Sequence, residues 1–188
     1  MTAQNKHSHL LHADQTLLVV VDMQEPFLRT IFEKERVFRN VGMLIAGANT
    51  LRIPVLGTTQ YAVRMGEIVP EIRRLLPPVP AIDKMTFSCY DDPAFAAAVD
   101  QSGRKQILLC GVESHICINQ TAHGLLAANF QVHVVADAVS SRSESNWRQG
   151  IDKMTQSGVL ISTVEMALYE ILREGGTTAF REILQIIK

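Results

Sequence analysis

The chain has 188 residues, 47% hydrophobic and 20% charged, with a formal net charge of -1. That length supplies one sizeable core and is short for two, and the composition excludes an intrinsically disordered chain. Scattered basic residues in a nearly neutral chain leave no electrostatic footprint for nucleic acid or an anionic membrane, so the expected ligand is a small molecule.

No apolar run approaches the ~20 residues that a membrane-spanning helix needs. The opening MTAQNKHSHLLHAD lacks a basic region followed by an apolar core and a cleavage site. It is therefore expected to be an N-terminal tail, 1–14, ahead of one domain, 15–188, and the expected compartment is the cytoplasm. His7, His9 and His12 have the chemistry to catch a metal ion, but a short polar tail is usually mobile, so no functional metal is expected there. Three cysteines without a CxxC pair make no disulfide framework, which leaves catalysis or burial for each thiol.

Thr16 to Val21, TLLVVV, is a continuous β-branched run that predicts a strand buried on both faces and ending at Asp22. Val37, Phe38, Val41, Leu44, Ile45 and Ala48 follow helical spacing, and Pro54 to Gly57 is a second strand. Thr58 to Tyr61 and beyond are expected as loop, with a short amphipathic turn around Glu71 to Leu76. A third strand covers Ala81 to Lys84. Asp92 caps an alanine-rich helix with Pro93 at its first position, and Gly103 stops it.

Gln106 to Cys110 is the fourth strand. Ser114 is expected to cap the following helix, which runs to about Asn129 and places Cys117 in its first turn, at the third position. Val132 to Val135 is a fifth strand. Trp147, Ile151 and Met154 mark a helix closed by Gly158, with Trp147 anchoring it to the sheet. Val159 to Ser162 is a sixth strand, and two helices, Val164 to Arg173 and Thr178 to Ile187, complete the chain.

Six short apolar strands alternating with helices imply an α/β fold: a doubly wound, six-stranded parallel sheet covered on both faces in three layers. In the common order 3-2-1-4-5-6 the winding reverses between strands one and four, and ligands bind beyond the strands' carboxyl ends there. Asp22 and the turn carrying Cys117 would then face one crevice, with Lys84 reaching it from the side. Unpaired N-H groups at a helix start favour thiolate, so Cys117 is expected to have a lowered pKa. A carboxylate, an ammonium and a thiol together form a covalent-hydrolysis set. Cys110, within an apolar strand, reads as core, and Cys89 as partly buried packing. A dinucleotide-binding domain is disfavoured because DMQEPF after the first strand lacks the glycines that admit a pyrophosphate.

The segments LLVVVDMQEPF, DKMTFS, GVESHICINQTA and VHVVADAVSSR occur in that order. With them the chain resembles the isochorismatase-like cysteine hydrolases, which include nicotinamidases and N-carbamoylsarcosine amidohydrolases, from about Thr16 to Leu172. The resemblance implies a catalytic triad of Asp22, Lys84 and Cys117 and a cis peptide between Val112 and Glu113. It also implies an oxyanion hole of the Glu113 and Cys117 N-H groups, and attack of Cys117 on a small amide to give a thioester. Metal-dependent nicotinamidases carry an Asp-x-His pair and a further His after the second strand. This chain has GTTQYAVRMGEIVP there, so neither a metal nor another cofactor is expected. Isochorismatases proper cleave a vinyl ether and do not retain the cysteine.

Phe27, Tyr61 and Phe87 lie near the predicted strand ends and are candidates for the pocket wall. His115 is assigned no role. Homo-oligomerisation is expected from the family likeness alone. The competing readings are a hydrolase or lyase of an ether or cyclic substrate on the same scaffold, and a nonenzymatic binding or assembly subunit.

Overall fold

The computed structural model describes residues 9–188. In chain order it contains β1 (Thr16–Val21), α1 (Glu25–Leu28), α2 (Lys34–Thr50), β2 (Val55–Gln60), α3 (Ala62–Met65), α4 (Pro70–Arg73), β3 (Ile82–Lys84) and α5 (Pro93–Ser102). Next come β4 (Gln106–Val112), a π-helical turn (Ser114–Ile118), α6 (Asn119–Ala127), β5 (Gln131–Ser140), α7 (Glu144–Gln156), β6 (Leu160–Ser162), α8 (Val164–Leu172) and α9 (Thr178–Ile187).

The six strands form one parallel sheet in the order β3-β2-β1-β4-β5-β6, as the alternation of strands and helices predicts. β1 lies centrally and is buried on both faces because its side chains alternate between two cores. Leu18 and Val20 join α2, α8 and α9 on one side, whereas Leu17, Val19 and Val21 join α5, α6 and α7 on the other. The α2 stripe of Val37, Val41, Leu44, Ile45 and Ala48 is buried at the spacing that defined it in the sequence. Asp92 accepts from the N-H groups of Ala94 and Phe95, and Gly103 closes α5 at a φ of 65°.

Several expectations need correction. β2 runs through Thr58, Thr59 and Gln60, which the sequence presents as loop; Thr58 and Gln60 are buried against the buried Asp22 and Lys84, and Thr59 donates to Asp83 at the surface. β5 likewise continues to Ser140, its pairing with β4 shifting register between Leu109 and Gly111. The segment preceding β1 is packed where it is described. Leu11 is fully buried, its N-H bonds to Glu170, and its carbonyl accepts from Arg173. His7 lies outside the described residues. Among the described residues no group of three or more His, Cys, Asp or Glu side chains is placed to hold a metal ion. Among them, too, no helix is long and apolar enough to cross a membrane.

Candidate active site

Three strands deliver their carboxyl ends to one place. Asp22 follows β1 directly in a left-handed conformation, φ 49°, which Asp tolerates better than most residues. Its carboxylate is buried, and Oδ1 accepts from the Thr58 hydroxyl at 2.8 Å while Oδ2 accepts from Lys84 Nζ at 2.8 Å. Lys84 ends β3 with a fully buried ammonium, which also donates to Gln60 Oε1 at 2.7 Å and to the Thr86 carbonyl at 3.3 Å. All three ammonium donors therefore have a partner.

Gln60 is itself fixed. Its N-H donates to Gln24 Oε1 at 2.7 Å, its carbonyl accepts from Gln24 Nε2, and its own side-chain amide donates to the Met85 carbonyl. Burial lowers the Lys84 pKa, but Asp22 and the neighbouring thiols Cys89 and Cys117 outweigh it, so the pKa lies above the ordinary lysine value. The ammonium stays charged.

Cys117 enters from β4. The Val112–Glu113 peptide is cis, and the π-helical turn that follows carries Cys117 as its fourth residue, facing a cavity at 8% exposure. Two glycines permit this approach. Gly111 has a φ of 107°, and a Cβ there would overlap the Val21 carbonyl oxygen, so β4 meets β1 closely beside Asp22. A Cβ on Gly150 would lie 2.9 Å from the Ser114 carbonyl oxygen, so its absence lets α7 seat against the turn.

The expected helix cap and lowered thiol pKa are both corrected. Ser114 is the first residue of the turn rather than its cap, and its hydroxyl bonds to Ser141 Oγ at 2.6 Å. Burial, then the Asp22 charge, pushes the Cys117 thiol up to about 12; Lys84 opposes this, and a hydrogen bond to Asp22 adds to it. Desolvation outweighs the partial charge of one helical turn. The thiol is therefore protonated at neutral pH, and ionisation requires proton transfer to a neighbour.

The cavity has a volume of about 200 Å³ and is lined by Asp22, Cys117, Gln60, Val112, Glu113 and Arg142 together with Phe27, Tyr61, Met65, Phe87 and Ile116. All three aromatic candidates thus share the cavity with Cys117. Tyr61 also has a left-handed backbone, φ 48°, which turns the chain sharply out of β2. Glu113 holds Arg142 through both carboxylate oxygens, at 2.6 Å to Nη2 and 3.1 Å to Nε, and also accepts from the Arg142 N-H. Burial raises the Glu113 pKa, but Arg142 overrides it and holds the carboxyl below its ordinary value.

The remaining sequence candidates fall outside the cavity. Cys89 is fully buried rather than partly so, 3.9 Å from the Thr58 hydroxyl and close enough to Lys84 and Asp22 to feel their charges; burial pushes its thiol up to about 11. Cys110 is core, its pKa raised further by burial. His115 Nδ1 lies 2.8 Å from Ser141 Oγ, and burial lowers its pKa. Trp147 packs on the core beneath α7 and against Phe32 and Arg36, tying its helix to the entry of α2. No local pattern singles out Thr58, Gln60, Gln24 or Arg142 as site residues. A Thr-x-Gln pair spaced two apart shares one face of a strand, a usable clue once β2 is extended through Gln60.

Comparison with known proteins agrees with this architecture. Residues 16–166 match the isochorismatase domain model. The secreted isochorismatase effector Isc1 of Phytophthora sojae is 34% identical over 192 residues, covering 100% of this chain and 91% of that protein. Isochorismatase domain-containing protein 2 of Danio rerio is 34% identical over 92% of this chain and 86% of its own length. The solved structure of MAR1 ribonuclease from Caenorhabditis elegans superposes with a TM-score of 0.89 at 30% identity, covering 95% of this chain and 92% of that one. The chain belongs to the isochorismatase family, a membership that supports a hydrolase.

Proposed function

We propose that the protein is a cysteine hydrolase that cleaves a small amide-type C-N bond through a thioester, with Cys117 as nucleophile, Asp22 as base and Lys84 holding their negative charge. One observation carries this reading: a protonated thiol faces the same cavity as a carboxylate whose charge it feels and whose two oxygens are fixed by Lys84 and Thr58. Each Asp22 oxygen accepts one bond and keeps a second lone pair, so a carboxylate fixed in this orientation can still take the thiol proton.

In the first step Asp22 takes the Cys117 proton as sulfur bonds to the carbonyl carbon, and the carbonyl electrons collect on oxygen. The N-H groups of Glu113 and Cys117 are the proposed oxyanion donors, each worth ~3 kcal/mol to the barrier. Asp22 then returns the proton to the leaving nitrogen as the C-N bond breaks, leaving a thioester on Cys117. Asp22 next deprotonates a water that attacks the thioester, and the expelled sulfur recovers a proton. Lys84 stays charged throughout and compensates whichever of its two neighbours is anionic.

The name of the C. elegans relative raises RNA as a substrate. Among the described residues lining the cavity the one basic side chain is Arg142, and Glu113 already engages it. A phosphodiester would meet more carboxylate than cation there. The proposed partners are a small-molecule substrate and further copies of the chain, with neither nucleic acid nor membrane. Three unpaired buried thiols suit a reducing compartment such as the cytoplasm, although the P. sojae relative is named as secreted.

Ammonia release from a panel of small amides, with an acid-quenched mass measurement of Cys117, tests the reading. Turnover with a transient acyl adduct that Cys117→Ala eliminates is the expected result. Turnover that survives Cys117→Ala removes the mechanism, and a wild-type chain inert across the panel leaves a binding subunit as the better description.

A further inference from the structure

The amide reading leaves the rest of the substrate open, and the cavity's own balance of charge and apolar surface narrows it. We infer that the site takes an uncharged primary carboxamide with a short apolar substituent and discriminates against the same amide carrying a carboxylate or an ammonium. This inference rests on the function proposed above and names its substrate class.

The first support is that every charged side chain lining or flanking the cavity is already paired with an opposite charge of the protein, Arg142 with its side chain 57% exposed. Lys84 is fully buried, has its three donors engaged by Asp22, Gln60 and Thr86, and does not line the cavity. Arg142 does line it, but Glu113 occupies its backbone N-H, Nε and Nη2, and Glu113 is itself 6% exposed. Asp22 and Glu113 are thus matched one to one by Lys84 and Arg142. A charged substituent entering here loses its hydration and gains no free counter-ion, a combination that desolvation makes unfavourable.

The second support is the wall. Phe27, Met65, Phe87 and Ile116 face the cavity, and Phe87 remains 55% exposed at its mouth. An aromatic ring held in water beside the nucleophile gains from covering by an apolar group, at roughly 25 cal/mol per Å² of surface removed from water. Three independent segments, at Phe27, Met65 and Phe87, supply this surface, so it is a feature of the assembled site rather than of one loop.

The third support is size. A cavity of about 200 Å³ falls below the ~300 Å³ at which drug-sized sites begin, so it suits a carboxamide with a short substituent. Isovaleramide fits this description. Succinamate and 4-aminobutyramide are of similar size and differ in carrying a carboxylate and an ammonium.

Binding of these three probes to the full chain carrying Cys117→Ala, followed by NMR titration, separates ligand class from chemistry. Isovaleramide is expected to bind at least about tenfold more tightly than either charged probe, with Phe87→Asp reversing the order between isovaleramide and 4-aminobutyramide. Should Cys117→Ala not fold, protection of wild-type Cys117 from alkylation by the same probes reads the same order. Succinamate binding as tightly as isovaleramide overturns the inference and makes Arg142 a carboxylate anchor, and so does failure of all three to bind at tens of millimolar. Isovaleramide that binds in the expected order but releases no ammonia from the wild-type chain supports the ligand class while removing the amidohydrolase reading.

Discussion

Buried polar clusters sit at both ends of the sheet, and only one of them borders a reactive atom. At the amino end, Gln106 opens β4 with its Oε1 accepting from the His12 N-H at 2.7 Å and the Thr16 hydroxyl at 3.3 Å. Its Nε2 donates to the Leu10 carbonyl and to Gln131. At the carboxyl end, Asp22 and Lys84 are engaged as completely by Thr58 and Gln60, yet Asp22 also meets a thiol that faces a cavity. Burial of polar groups is common to both ends. The distinction on which the proposed function rests is a thiol placed between a saturated network and open space.

Five single substitutions, one of them also combined with a second change, probe that contrast in decreasing order of effect. Cys117→Ala and Asp22→Asn are each expected to lower kcat at least about 10⁴-fold on a substrate found by ammonia release. Asp22→Asn is also expected to speed alkylation of Cys117 at neutral pH, because the carboxylate that raises the thiol pKa is gone while Lys84 still favours the anion. Alkylation at the wild-type rate in Asp22→Asn would mean that Asp22 does not act on the sulfur.

Lys84→Met leaves the Asp22 carboxylate buried without its cation and is expected to cost about 3 to 5 kcal/mol in urea unfolding. Adding Asp22→Leu should restore most of that loss without restoring turnover. If Lys84→Met alone is neutral, the pair is not the desolvated ion pair described here.

At the opposite end, Gln106→Leu strands the His12 N-H and the Leu10 carbonyl, at an expected cost of about 1 to 3 kcal/mol with kcat/KM unchanged. A kinetic effect as large as that of Asp22→Asn would dissolve the distinction between the two ends.

The smallest effect concerns Arg142, whose side chain is 57% exposed. Solvent screening holds the expected loss in Arg142→Gln to about 1 kcal/mol at pH 7. The Glu113 carboxyl is depressed in the folded chain. The pair's contribution is therefore complete above the ordinary carboxyl value of 4.5 and disappears as pH falls through the lower folded value. Unfolding curves of wild type and Arg142→Gln should converge on that acidic side; a gap that persists there assigns the loss to packing of the arginine stem instead.

The strands and most helix boundaries were legible because apolar periodicity and caps encode them locally, as in TLLVVV of β1 or the Asp92-Pro93 start of α5, whereas the sheet order comes from the commonest doubly wound topology. Asp22, Lys84 and Cys117 were legible as strand-end residues once that order was assumed. Thr58 and Gln60 were not, because a polar run after Gly57 resembles a loop, and only the partners it meets in three dimensions make it a buried strand. The protonation of Cys117 was hidden for a related reason. Position in a helical turn can be read from local pattern, whereas desolvation depends on what the rest of the chain places overhead.

Gly111 gives the molecule a way to fail that touches no reactive group. Any side chain there meets the backbone of Val21 one residue before Asp22, and the conformation at φ 107° resists every L-residue. The proposed proton donor and acceptor follow neighbouring strands, and their spacing depends on an atom that is missing. A single methyl at this position would wedge the ladder open and detune the proton hand-off with every titratable side chain intact.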